Sequence, residues 1–69
     1  MQIEWVDGFE IRVQVIDGET TISANREGLL SLARQLAALA EAAPGDHIHY
    51  DDSNSLEEGS AELIVERIP

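Results

Sequence analysis

The sequence predicts an α+β fold: a single antiparallel sheet in the order βββαββ, with one helix packed on one face. Two Asp-Gly dipeptides near the start separate runs in which apolar and polar residues alternate. The stretch 26–43 then repeats its apolar residues at helical spacing, and a second alternating pair follows Pro44-Gly45. Residues 1–69 are expected to form one domain, because so short a chain has no room for a second core.

IEWV, DG, FEIRVQVI, DG and ETTIS at 3–23 read as a three-stranded meander, since Asp-Gly between alternating runs is a hairpin signal. In the middle strand Phe9, Ile11, Val13 and Val15 share one face. A two-residue turn at Asp17-Gly18 sets Val15 opposite Thr20 and Val13 opposite Ile22, which keeps the apolar face matched. The same geometry at Asp7-Gly8 would put Ile3 against Arg12 and mix the faces. A loop of Val6, Asp7 and Gly8, with a bulge at Gly8, pairs Trp5 with Phe9 and Ile3 with Ile11 instead.

Residues 26–43 read as an amphipathic helix of about 27 Å. Leu29, Leu32, Ala33, Leu36, Leu39, Ala40 and Ala43 form its apolar stripe, with Glu27, Ser31, Arg34, Ala38 and Glu41 opposite. Asn25, or Ser23, is placed to cap the first amides, and Glu27 complements the positive helix end. Gly28 lowers helix propensity but allows close backbone approach. Pro44 biases Ala43 out of helical geometry and ends the helix.

Residues 47–51 and 60–68 complete the sheet as a hairpin. Ile48 and Tyr50 point towards the helix, and His47, His49 and Asp51 point away. Setting Asp51 opposite Ser60 places His49 against Glu62 and Tyr50 against Ala61. Leu56, the one large apolar residue of the connection, is expected to fold back onto the core. The uncovered face then carries Glu10, Arg12, Gln14, His47, His49, Glu62, Ile64 and Glu66.

Charge narrows the partners. Fourteen acids stand against four arginines and no lysine, giving a formal net charge of −10. Nucleic acid backbones and anionic lipid are repelled by such a surface, whereas a basic protein is steered towards it. With 43% hydrophobic residues in clean periodicity, the chain is nonetheless expected to fold. There is no cysteine, so neither a disulfide nor a thiolate metal site can reinforce it. The N-terminus lacks the pattern of a signal peptide, and the helix is too amphipathic to span a bilayer. A cytoplasmic location is expected.

GDHIHYDD at 45–52 concentrates the chemistry. His47 and His49 alternate onto one strand face roughly 7 Å apart, where Asp51 or Glu62 could complete a metal site. His-x-His is common in chains that hold no metal, and no metal or cofactor is expected here. Catalysis needs an enclosed, water-poor pocket that one helix on one sheet does not readily supply. No phosphate-binding loop or nucleophile elbow is present, and Asp51-Asp52 and Glu57-Glu58 read as solvated anions. The remaining use of this face is docking, helped by a cross-strand pair of protonated His49 with Glu62.

NREGLLSLARQLAALA at 25–40, HIHYD at 47–51 and GSAELIV at 59–65, in that order, resemble the immunity protein 32 family of bacterial polymorphic toxin systems. The resemblance covers about the C-terminal two-thirds of the chain. It implies a small non-enzymatic α+β protein that binds a cognate toxin and protects the producing cell. It carries onto His47, His49 and Asp51 as candidate partner-binding positions, with Asn25 and Glu62 secondary. Charge adds Asp52, Glu57 and Glu58, which lie on or beside the final hairpin. Two other readings stand beside it: a His/Asp metal-binding or small catalytic protein, and a homodimer formed across the open sheet face around Ile64.

Overall fold

The computed structural model describes all residues from 1 to 69. Its elements are β1 (Ile11–Ile16), β2 (Glu19–Ala24), α1 (Arg26–Ala40), β3 (His47–Tyr50) and β4 (Leu63–Glu66). The class is α+β with one helix, as expected, but the single βββαββ sheet is not formed. Two separate antiparallel pairs take its place, β1 with β2 and β3 with β4.

The β1–β2 hairpin keeps the expected register, Val15 opposite Thr20 and Val13 opposite Ile22. Its turn places both Asp17 and Gly18 at positive φ, 51° and 81°. That is the backbone of the type I′ turn, whose twist matches the flanking strands.

The expected first strand is absent, although its turn is present. Gly8 has φ 84° and the Phe9 amide donates to the Val6 carbonyl at 3.2 Å. Trp5 still meets Phe9, as a ring stack with centroids 4.3 Å apart rather than as a ladder pair. The reason is where the backbone bonds go. The Val6 amide donates to the Ser31 hydroxyl at 2.8 Å, and the Glu4 carbonyl accepts from the Gln35 side-chain amide at 2.7 Å. Residues 4–6 are therefore tied to the helix and not free to pair with β1.

The outer edge of β1 is taken instead by the segment leading into β4. The Glu57 and Ala61 amides each donate at 2.8 Å, to the Ile11 and Val13 carbonyls, and the Val13 amide donates to the Ser60 hydroxyl at 3.1 Å. These bonds also reset the last hairpin. With 57–61 held on β1, β3 pairs two residues further along, so that Tyr50 faces Leu63 and His49 faces Ile64. The slip is even, so every side chain keeps its expected face.

α1 ends at Ala40, three residues before the expected stop. The Glu41 and Ala42 amides close a tighter final turn onto Ala38 and Leu39. Its buried face is also rotated. Gly28, Ser31, Leu32, Gln35 and Leu39 point inward, while Leu29 and Leu36 are 56% and 43% exposed. The core consists of Ile11, Val13, Leu32, Leu39, Ile48, Tyr50 and Leu56, flanked by Trp5 and Phe9. Leu56 folds back as expected.

One polar contact and one close backbone approach organise that core. Tyr50 is fully buried and its hydroxyl donates to the Gln35 side-chain oxygen at 2.8 Å. Burial pushes the phenol above its usual pKa and keeps it a donor. Gly28 sits against β1 and β2; a Cβ there would lie 2.5 Å from the Glu10 carbonyl oxygen and 2.9 Å from Ile11. The glycine is what lets the helix start so close to the hairpin.

Candidate functional site: the acidic hairpin and its loop

Strand alternation fixes the face on which the candidates lie. Ile48 and Tyr50 are buried towards the helix, and His47 and His49 are exposed on the other side of β3. The two rings meet edge to face with centroids 5.1 Å apart. Glu62 reaches His49 from the approach to β4, with Oε1 3.4 Å from Nδ1. The pair expected between directly opposed residues thus forms on the diagonal, because Ile64 now occupies the opposing position. Both side chains are about half exposed, so this contact is worth less than about 1 kcal/mol even with the imidazole protonated. His47 points its Nδ1 to the Gly45 carbonyl at 3.3 Å. No three side chains among His, Asp and Glu gather closely enough to hold a metal ion.

Asp51 has a structural task. Its carboxylate accepts from both the hydroxyl and the amide of Ser53 at 2.9 Å, and its carbonyl receives the Leu56 amide at 2.8 Å. The Ser53 hydroxyl, then the Ser53 amide, hold this carboxyl below the usual aspartate range. Asp52 closes the same loop by accepting from the Gly59 amide at 3.3 Å. Together they shape the turn that returns Leu56 to the core.

Glu57 and Glu58 are exposed, and their carboxylates make no hydrogen bond or ion pair. Only their backbones are engaged: the Glu57 amide on Ile11, and the Glu58 carbonyl as acceptor for Arg12 at 3.3 Å. Glu57 borders a shallow groove shared with Glu10, Arg12 and Asn25.

Asn25 is fully used by the fold. Its side-chain oxygen accepts from the Gly28 amide at 2.8 Å and the Glu10 amide at 3.0 Å, and its nitrogen donates to the Gly8 carbonyl at 2.9 Å. It caps the helix and welds the cap to the β1 entry.

The structure therefore brings His47, His49 and Glu62 together, keeps Glu57 and Glu58 as free anions nearby in sequence, and commits Asp51 and Asp52 to the loop. Residues 46–66 carry seven acids and no Lys or Arg. All seven except Asp51 are exposed. The surface is a polyanion with an apolar element, Ile64, 52% exposed among its charges.

The family model described as immunity protein 32 matches residues 19–68. The chain belongs to the immunity protein 32 family. The matched span begins at β2 and runs through β4, so it contains the helix and the whole acidic hairpin. Membership in this immunity protein family implies a toxin-neutralising role, non-catalytic in kind, with a toxin as partner. No curated protein and no solved structure matches the chain. No helix is long and apolar enough to cross a membrane.

What sequence reasoning missed lies on the helix. Ser31 read as solvent-facing and Gln35 was assigned to neither face, yet both carry the buried polar contacts, while Leu29 and Leu36 read as core but face outward. One signal was present. Tyr50, on the buried face of β3, requires a hydrogen-bonding partner, and a polar residue within the helix is where one would be sought.

Proposed function

We propose that this immunity protein 32 member neutralises a basic protein toxin inside the producing cell by docking its acidic hairpin and loop into the toxin's cationic surface. The single observation that carries the reading is the stretch 46–66, with seven acids and no compensating Lys or Arg, in the segment that the family match covers. Carboxylates so placed raise the encounter rate with a cationic partner and disfavour wrong ones.

Glu57, Glu58 and Glu62 act as the partner-facing charges, because their carboxylates are exposed and lightly engaged. His47 and His49 supply flat, half-polar rings beside Glu62, and Ile64 gives the patch a small apolar centre. Asp51 and Asp52 contribute charge while holding the loop in shape. Neutralisation is then steric and electrostatic occlusion of the toxin, with no bond made or broken.

Co-expression with a cognate toxin domain tests the reading. The natural chain restores growth, and the triple variant Glu57→Gln, Glu58→Gln, Glu62→Gln restores it poorly while remaining folded. Full protection by the triple variant would refute the assignment of these charges.

A further inference from the structure

α1 carries a seam that the fold does not use. Leu29, Ala33, Leu36 and Ala40 are all exposed and lie at spacings of four, three and four residues, the a/d pattern of a helix pairing seam. Ile68, 69% exposed, borders the same groove as Leu36 and Ala40 and extends the seam at that end. From this we propose that two copies of the chain pair through α1, antiparallel about a two-fold axis.

Three features select a second copy as the occupant. Leucines and alanines alternate along the seam so that an antiparallel two-fold, with its axis between Arg34 and Gln35, sets Leu29 on the other copy's Ala40 and Ala33 on its Leu36. Every large side chain then meets a small one, and each contact recurs with the copies exchanged, as a two-fold interface requires. A parallel pairing would stack leucine on leucine and alanine on alanine, leaving gaps at alternate layers.

Charge agrees with the antiparallel arrangement. Arg26, whose one carboxylate contact within the chain is Glu27 at 3.9 Å, comes to the end of the other helix, close to the Glu41 carboxylate. Val65 and Glu66 border this groove, whereas Glu62 and Ile64 do not. A dimer built on α1 therefore leaves Glu57, Glu58, Glu62 and Ile64 open, with Glu66 at its border.

The seam is short, about 17 Å at the helical rise, so the dimer is weak and depends on concentration. Each copy carries −10, so self-association is opposed by long-range repulsion and strengthens as salt rises.

Sedimentation of the full chain between about 1 µM and 1 mM, at about 50 and 500 mM salt, reads this directly. The expected result is a shift from 7.6 kDa towards twice that mass, at lower protein concentration in the higher salt. Leu36→Asp, with an unchanged circular dichroism spectrum, stays monomeric throughout, whereas Ile64→Asp dimerises like the natural chain. The absence of native cysteine permits a second measurement. An equimolar mixture of Ala33→Cys and Leu36→Cys chains, oxidised at high concentration, crosslinks as the mixed dimer in excess of either homodimer. A monomer under every condition would overturn the proposal. So would monomerisation by Ile64→Asp but not Leu36→Asp, or crosslinking without preference for the mixed species.

Discussion

The two flanks of α1 are chemically inverted. On one, Ser31 and Gln35 are buried and hold down residues 4–6; on the other, Leu29 and Leu36 face outward. Hydropathy alone would exchange them. The difference lies in what each flank meets. The closed flank meets irregular backbone, whose amide and carbonyl have no strand to pair with. Burying such groups unpaired costs about 1–3 kcal/mol each, which offsets what burying a leucine there would return. The open flank meets only the C-terminal segment around Arg67 and Ile68, which leaves its leucines largely exposed. A helix orients by where the neighbouring backbone needs hydrogen bonds as much as by its own apolar stripe.

Gly28→Ala should have the largest effect on stability. Alanine gains up to about 1 kcal/mol of helix propensity. Its Cβ, however, would press on the Glu10 carbonyl oxygen and Ile11, so the helix must move and the net loss is about 3 kcal/mol. Urea unfolding measures it, and a stabilised variant would mean that the helix does not approach β1 this closely.

The flanks themselves are distinguished by a reciprocal exchange. Gln35→Leu strands the Tyr50 hydroxyl and the Glu4 carbonyl, and should cost about 2 kcal/mol despite adding an apolar side chain to the core. Leu36→Gln should change monomer stability by less than about 0.5 kcal/mol, since the side chain is already substantially exposed. The same unfolding curves decide between this orientation and the one hydropathy favours, which demands the reverse order.

Asn25→Ala removes the helix cap and the link to Glu10 and should cost about 1–2 kcal/mol, while Asn25→Asp retains the acceptor and most of the stability. The smallest effect is at Asp51. Its folded pKa is depressed, so its contribution is present above the unfolded aspartate value and is lost as pH falls through the folded one. Asp51→Asn should therefore differ from the natural chain at pH 7 and converge with it as pH falls through the lowered folded pKa. A difference that persists undiminished in acid would remove the carboxylate from that role.

Much of this was legible in the sequence wherever alternation or turn chemistry acts locally. Asp17-Gly18 set the first hairpin and its register, Ile48 and Tyr50 turned inward, and His47 and His49 turned outward, all from period-two spacing. The errors came from bonds between residues far apart in the chain. Ser31 and Gln35 drew residues 4–6 off the sheet, and residues 57–61 took the β1 edge and moved the last register by two. Nothing within either segment announces those partners. The candidate site survived the register change because an even slip preserves faces, which is why His49 and Glu62 still meet. The loop role of Asp51 was not legible, because it depends on Ser53 and a carboxylate beside a serine reads equally well as free charge.

The closed flank of α1 maintains the fold, and the proposal gives the acidic hairpin the task of receiving the toxin. The most direct measurement is toxin affinity between about 50 and 500 mM salt for the natural chain and the Glu57→Gln, Glu58→Gln, Glu62→Gln variant. The natural chain should weaken roughly tenfold or more across that range, and the variant should bind less tightly with a visibly shallower salt dependence. Affinity indifferent to salt, or identical slopes for the two proteins, would contradict docking through these charges.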